Sequence, residues 1–154
     1  MHIILQREDI LKPLSYVAGV VEKRQTLPIL SFILLRQDNN EVTLTGTDLE
    51  VEIIAQVKTE RSASGELTLP ARKLLDICRA LPEGATINIR KEGEKASVKS
   101  GKSRFSLLTL PTVDFPNIQA SPWDQSINVP QAVFRNLLQQ THFCMAQQDM
   151  RYFL

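Results

Sequence analysis

The hydrophobic rhythm of residues 66–81, ELTLPARKLLDICRAL, changes half-way along. Leu67 and Leu69 alternate with Thr68, a period of two that predicts a strand. After Pro70, the positions Leu74, Ile77, Cys78 and Leu81 recur at helical spacing, with Leu75 beside them. Pro70 suits a helix start because it lacks the N–H that would be unpaired there. Arg72, Asp76 and Arg79 are left on the polar face. The same change of period occurs near the N-terminus. Residues 2–6 (HIILQ) predict a short strand, and Arg7 to Lys23 a helix with Ile10, Leu11, Leu14, Val17, Ala18 and Val21 on one stripe. Pro13 conflicts with that stripe and predicts a kink or a late start. Lys12, Ser15, Gly19 and Lys23 fall on the opposite face.

Three strand-like runs follow the first helix, Leu30–Arg36, Glu41–Thr47 and Leu49–Lys58, with Asp38-Asn39-Asn40 as a hairpin turn and Gly46 suggesting a sharp corner. Three more follow the second helix, Ala85–Lys91, Lys95–Lys99 and Arg104–Leu110, separated by Glu92-Gly93-Glu94 and Ser100-Gly101-Lys102. Residues 111–124 are rich in proline and polar groups and predict a linker or boundary. Ile127-Asn128-Val129 alternates again, and Phe134, Leu137, Leu138 and Thr141 mark a third helix. The chain ends on a strand-like Arg151-Tyr152-Phe153-Leu154.

These pieces form an internal repeat. IILQREDILKPL from Ile3, LTLPARKLLDIC from Leu67 and INVPQAVFRNLL from Ile127 are each a strand, a break and an amphipathic helix. Aligned on Leu5, Leu69 and Val129, they lie 64 and 60 residues apart. A β-α-β-β-β unit is therefore used twice and begun a third time, and such units bury their faces against one another. The expected architecture is α+β: eight strands in sheets with two helices packed on one side. Residues 1–120 are expected to form a complete domain, 121–124 a linker and 125–154 the truncated start of a second domain. That start cannot bury its helix stripe alone, so it is expected to be mobile or to pack against its own domain or another copy.

Composition adds bounds. With 43% hydrophobic and 23% charged residues over 154 positions, the chain is ordinary globular material. No apolar run approaches the roughly 20 residues of a membrane span, and the start does not resemble a signal peptide. Cys78 and Cys144 lie far apart in sequence and predict buried free thiols in a reducing cytoplasm. Net charge is +1 but uneven. Between Gly84 and Ser106, six cations (Arg90, Lys91, Lys95, Lys99, Lys102, Arg104) face two anions (Glu92, Glu94), a local +4. The first 83 residues hold ten cations and twelve anions, a local −2.

Candidate chemistry is sparse. Gly101-Lys102-Ser103 resembles the end of a phosphate-binding loop, but position 96 is Ala and a strand follows instead of a helix, which excludes nucleotide hydrolysis there. Asp48, Glu50 and Glu52 alternate and would share one face of a strand, where they could hold a divalent metal for a nuclease. A solvated outer sheet surface accounts for them better, since no fourth acid or histidine has a reason to converge on them, and His2 and His142 stand apart. No metal or cofactor is expected. Arg24, Lys12, Lys23, Arg72 and Arg79 lie on the polar sides of the first two helices or just after one, a layer able to contact phosphates without reading bases. The basic 84–106 hairpin leaves a plain interaction module as a further reading.

Several stretches together resemble the bacterial beta sliding clamp, the beta subunit of replicative DNA polymerase III. They are LKPL (11–14), TLPIL (26–30), LTGTDLE (44–50), LPARKLLDICRALPEG (69–84), SGKSRFSLLTLP (100–111), DFPN (114–117) and QDMRYFL (148–154). The resemblance implies a homodimer ring whose domains each hold two β-α-β-β-β halves, helices inside and antiparallel sheets outside. It implies a non-catalytic processivity factor that encircles double-stranded DNA and tethers the polymerase. By motif it assigns DNA contacts to Arg24, Arg72, Gln148, Tyr152 and Phe153, with Arg79 beside them. It assigns a subunit interface to Lys73, Leu74, Ile77, Phe105 and Leu107. Arg151 and Leu154 would border a pocket for polymerase and clamp-loader peptides. Phe153 stands where a tyrosine is common, and Leu74 and Leu75 replace common aromatics. Most of the family's second domain and all of its third have no counterpart in these residues, so closure of a normal ring is not expected.

Overall fold

The computed structural model describes residues 1–21, 27–59, 64–116 and 125–145. The chain divides into two compact units, residues 1–118 and 119–154.

In the first unit, β1 (His2–Gln6) leads directly into α1 (Arg7–Val20), followed by β2 (Phe32–Asp38), β3 (Glu41–Thr47) and β4 (Glu52–Lys58). The same order then recurs as β5 (Gly65–Pro70), α2 (Ala71–Ala80), β6 (Thr86–Glu92), β7 (Lys95–Ser100) and β8 (Ser103–Leu108). Among the described residues all ladders are antiparallel, in two four-stranded sheets ordered β1-β6-β7-β8 and β4-β3-β2-β5. Each half thus lends its first strand to the sheet of the other. Ile3 stands opposite Ile89 and Leu5 opposite Ile87, while Ile33 stands opposite Leu69 and Leu35 opposite Leu67. These inward positions join Leu14 and Val17 of α1 and Leu74 and Cys78 of α2 in one core.

The expected β-α-β-β-β repeat is present, with local differences. α1 runs from Arg7 through Pro13 without a late start. The proline forfeits only the bond that would reach the carbonyl of Asp9, an exposed residue whose oxygen water can satisfy. Gly46 makes no corner. It sits in register opposite Ile53, and a Cβ there would lie 2.8 Å from Val17 Cγ1 and 2.9 Å from its carbonyl oxygen. Glycine is needed so that α1 can press onto β3. Residues 111–116 belong to the first unit. A short 3₁₀ turn, Thr112–Asp114, delivers Phe115 onto the outer side of β2, where it packs with Ile29, Leu30 and Leu34. Thr68 Oγ1 fastens that segment by donating to the Leu110 carbonyl at 2.7 Å, and the Leu110 N–H lies 2.8 Å from the same hydroxyl.

In the second unit, α3 spans Gln131–His142 and none of its residues is buried. Ile127–Val129 forms no strand, contrary to its alternation. A strand exists by pairing, and no described strand is paired with it. The expected linker 121–124 and the strand-like 151–154 lie outside the described residues.

Candidate nucleic-acid interface

α1 and α2 pack side by side and antiparallel, because each begins where the other ends. Two arginines clasp them. Arg7, the first residue of α1, donates from Nε to the Cys78 carbonyl in the last turn of α2 at 2.9 Å. Arg72, in the first turn of α2, donates from Nη2 to the Val21 carbonyl just past α1 at 2.9 Å. Late helical carbonyls have no partner within their helix, so a guanidinium there fills a vacancy and opposes the partial negative charge of the helix end. Glu8 completes the joint: its Oε1 accepts the Gly84 N–H at 3.0 Å and pairs with Arg7 Nη1 at 3.3 Å. The Gly84 N–H, then Glu8's own N–H, with a smaller share from Arg7, hold the Glu8 carboxyl below its ordinary value.

The polar side of this pair carries Lys12, Arg72, Lys73 and Arg79, all exposed, interleaved with Asp9 and Asp76. Lys12 and Arg79 come together from different helices, lining with Arg7, Glu8, Leu11 and Ser15 a cleft of about 430 Å³. Beneath it, burial pushes the Cys78 thiol up to about 11, with the Arg7 guanidinium opposing part of that rise. Cys144, by contrast, is exposed and not buried as expected.

The other assigned residues divide. Arg72 and Arg79 share the exposed helical face. Arg24, Gln148, Arg151, Tyr152, Phe153 and Leu154 lie outside the described residues. Of the five interface assignments, Lys73 is exposed, and Ile77 and Phe105 are half-buried against the core. Leu74 is 0% and Leu107 7% exposed. Both side chains are committed to this chain's own core and present little or nothing to a partner; Leu74 shares its stripe with Cys78. Leu108, 62% exposed on the free edge of β8, is the outward leucine there. Sequence spacing gives no sign of Arg7, because its role is to span two elements 71 residues apart.

The carboxylate reading fails on geometry. Asp48 and Glu50 precede β4, in a turn. Asp48 Oδ1 accepts the N–H groups of Glu50 at 2.9 Å and Val51 at 2.7 Å, while Thr47 Oγ1 accepts that of Leu49. Asp48 therefore organises a turn in which Leu49 has φ +82°. Among the described residues no three His, Cys, Asp or Glu side chains converge as metal ligands. Gly101-Lys102 is the β7–β8 turn, with strand following it. No described helix is long and apolar enough to cross a membrane.

Comparison with known proteins agrees in sequence and in shape. The family model of the DNA polymerase III beta subunit, N-terminal domain, matches residues 1–119. The beta sliding clamp of Pseudomonas putida is 52% identical over 155 residues, covering 100% of this chain and 42% of that protein. The beta sliding clamp of Escherichia coli is 48% identical with the same coverage. A crystal structure of the Pseudomonas aeruginosa DnaN sliding clamp bound to griselimycin superposes with TM-score 0.92 at 51% identity, over 99% of this chain and 42% of that one. The Caulobacter crescentus pol III beta structure has TM-score 0.92 at 34% identity, over 100% of this chain and 42% of that one. The chain spans about 42% of the length of the curated relatives it matches.

Proposed function

The chain belongs to the DNA polymerase III beta-subunit family, and from that membership we propose that it contributes to a DNA sliding clamp, a non-catalytic ring that holds a polymerase on duplex DNA. The observation that carries this reading is the clasped helix pair with Lys12, Arg72 and Arg79 on its exposed face. A clamp must attract the phosphate backbone without gripping it, since tight or base-specific contact would stop sliding. Cations on a rigid layer, interleaved with Asp9 and Asp76, suit that requirement. Arg24, Gln148, Tyr152 and Phe153 are proposed as further DNA contacts. Lys73, Ile77 and Phe105 are proposed to meet a second subunit, and Arg151 and Leu154 to border the pocket for polymerase and clamp-loader peptides.

The test is anisotropy of labelled duplexes of unrelated sequence, titrated with this chain between roughly 50 and 200 mM salt. Binding should be weak, equal among sequences and steeply salt-dependent. Lys12→Ala with Arg79→Ala should flatten the logarithmic salt slope by about 0.9 for each phosphate no longer neutralised, with unchanged circular dichroism. Sequence-selective binding, or a slope unaltered by the double substitution, would rule the reading out.

A further inference from the structure

The cationic stretch between Gly84 and Ser106 finds no use in a helix face that meets DNA. Its strands form the other sheet, and register places its cations. On β1, Ile3 and Leu5 point into the core, so His2 and Ile4 point out. His2 stands opposite Arg90, Arg90 opposite Ser97, and Ser97 opposite Ser106, one row across four strands. The next row is Ile4, Asn88, Lys99 and Arg104. With strands about 5 Å apart, Arg90 and Lys99 are close neighbours on the outer face, away from α1 and α2.

They frame a cavity of about 350 Å³ lined by His2, Asn88, Arg90, Ser97 and Lys99, bounded by Glu92 and the Gly101 turn. Two polar groups in it are prepared for a ligand. Ser97 is 4% exposed, and its Oγ has no hydrogen-bond partner among the described residues. A hydroxyl under two cations without an acceptor is an unusual arrangement to leave buried. His2 Nε2 lies 3.2 Å from Asn88 Oδ1. When the ring donates, it holds the amide oxygen and leaves the amide NH₂ as a donor.

We propose that this cavity is a binding site for a phosphate monoester. The guanidinium fork of Arg90 can take two oxygens, and Lys99, Ser97 and Asn88 can serve the remaining lone pairs. Among the described residues no Phe, Tyr or Trp lines the cavity, and its one ring, the imidazole of His2, is engaged by Asn88 Oδ1, so a nucleobase finds little to stack on. Glu92, 3.7 Å from Arg104 in an exposed ion pair, places a carboxylate at one end and disfavours an extended polyanion. The ligand is therefore a terminal phosphate whose remainder points to solvent.

The experiment is a ¹H–¹⁵N NMR titration of this chain with inorganic phosphate, adenosine monophosphate, a phosphoserine peptide and a single-stranded oligonucleotide without terminal phosphate. Phosphate should give saturable shifts confined to Asn88, Arg90, Ser97, Lys99 and Gly101. Arg90→Gln and Lys99→Gln, both at exposed positions, should each weaken binding roughly tenfold, and Ser97→Ala should weaken it several-fold. Tighter binding of the peptide would identify the source as a partner's modified side chain; tighter binding of the nucleotide would identify a small metabolite. Shifts spread over all surface lysines, no effect of Arg90→Gln, or equal affinity for the oligonucleotide would overturn the proposal. Duplex binding by α1 and α2 does not involve these residues, so either result leaves that question separate.

Discussion

Leu74 and Lys73 are neighbours in sequence with opposite commitments. Leu74 follows the helical stripe into the core, and truncating it removes buried methyl groups and leaves a cavity. Leu74→Ala should destabilise the isolated chain by about 2–5 kcal/mol, whereas Lys73→Ala should stay within about 0.5 kcal/mol. Urea denaturation separates the two; equal midpoints for both variants would show Leu74 to be a surface residue. The periodicity of residues 71–81 places Leu74 inside, and the resemblance places it outside. Asp48 shows the converse. Its alternation with Glu50 and Glu52 reads as a strand, yet the acceptor of two nearby N–H groups is a short carboxylate at a turn. Asp was the legible signal for that turn, and period alone obscured it.

At the scale of elements, helices and hairpins were legible because they rest on contacts close in sequence. The stripes of α1 and α2 and the Asn39-Asn40 turn each declare themselves within a dozen residues. The clasp between α1 and α2 does not, since Arg7 meets Cys78 only after the chain has folded back. That joint carries a pH signature. The folded thiol of Cys78 titrates near 11, above its ordinary 9.0. The folded state therefore retains a proton that the unfolded chain releases first. Stability from the neutral buried thiol is fully present below about pH 9 and is lost as pH rises towards 11. The loss amounts to about 2–3 kcal/mol at a conversion of about 1.4 kcal/mol per unit. Denaturation midpoints of the parent chain and Cys78→Ala, measured across that interval, should converge as pH rises; parallel curves would contradict a buried, raised thiol.

For the molecule as a whole, the repeat was readable and the sheet membership was not. Local alternation marks β1 as a strand without saying which edge it completes, and the obvious choice, its own half, is not the one made. The candidate DNA face was legible to the extent that it lies on helices: Arg72 and Arg79 could be placed by spacing. The outer cavity needed register across four strands to bring His2, Arg90 and Lys99 together. No local pattern carries that information.

The exchange of first strands also sets an order of events in time. β2-β3-β4 and β6-β7-β8 can zip from their turns, but β1 has no sheet until residues 86–90 exist to receive it. During synthesis the N-terminal strand must wait for some eighty residues, and in refolding its closure carries the loop entropy of that separation. β1 contacts should thus form after the rate-limiting barrier. Leu5→Ala should accelerate unfolding by nearly the whole of its equilibrium effect and leave refolding almost unchanged. Stopped-flow measurements in which refolding slows by that same factor would instead put the first strand in the nucleus.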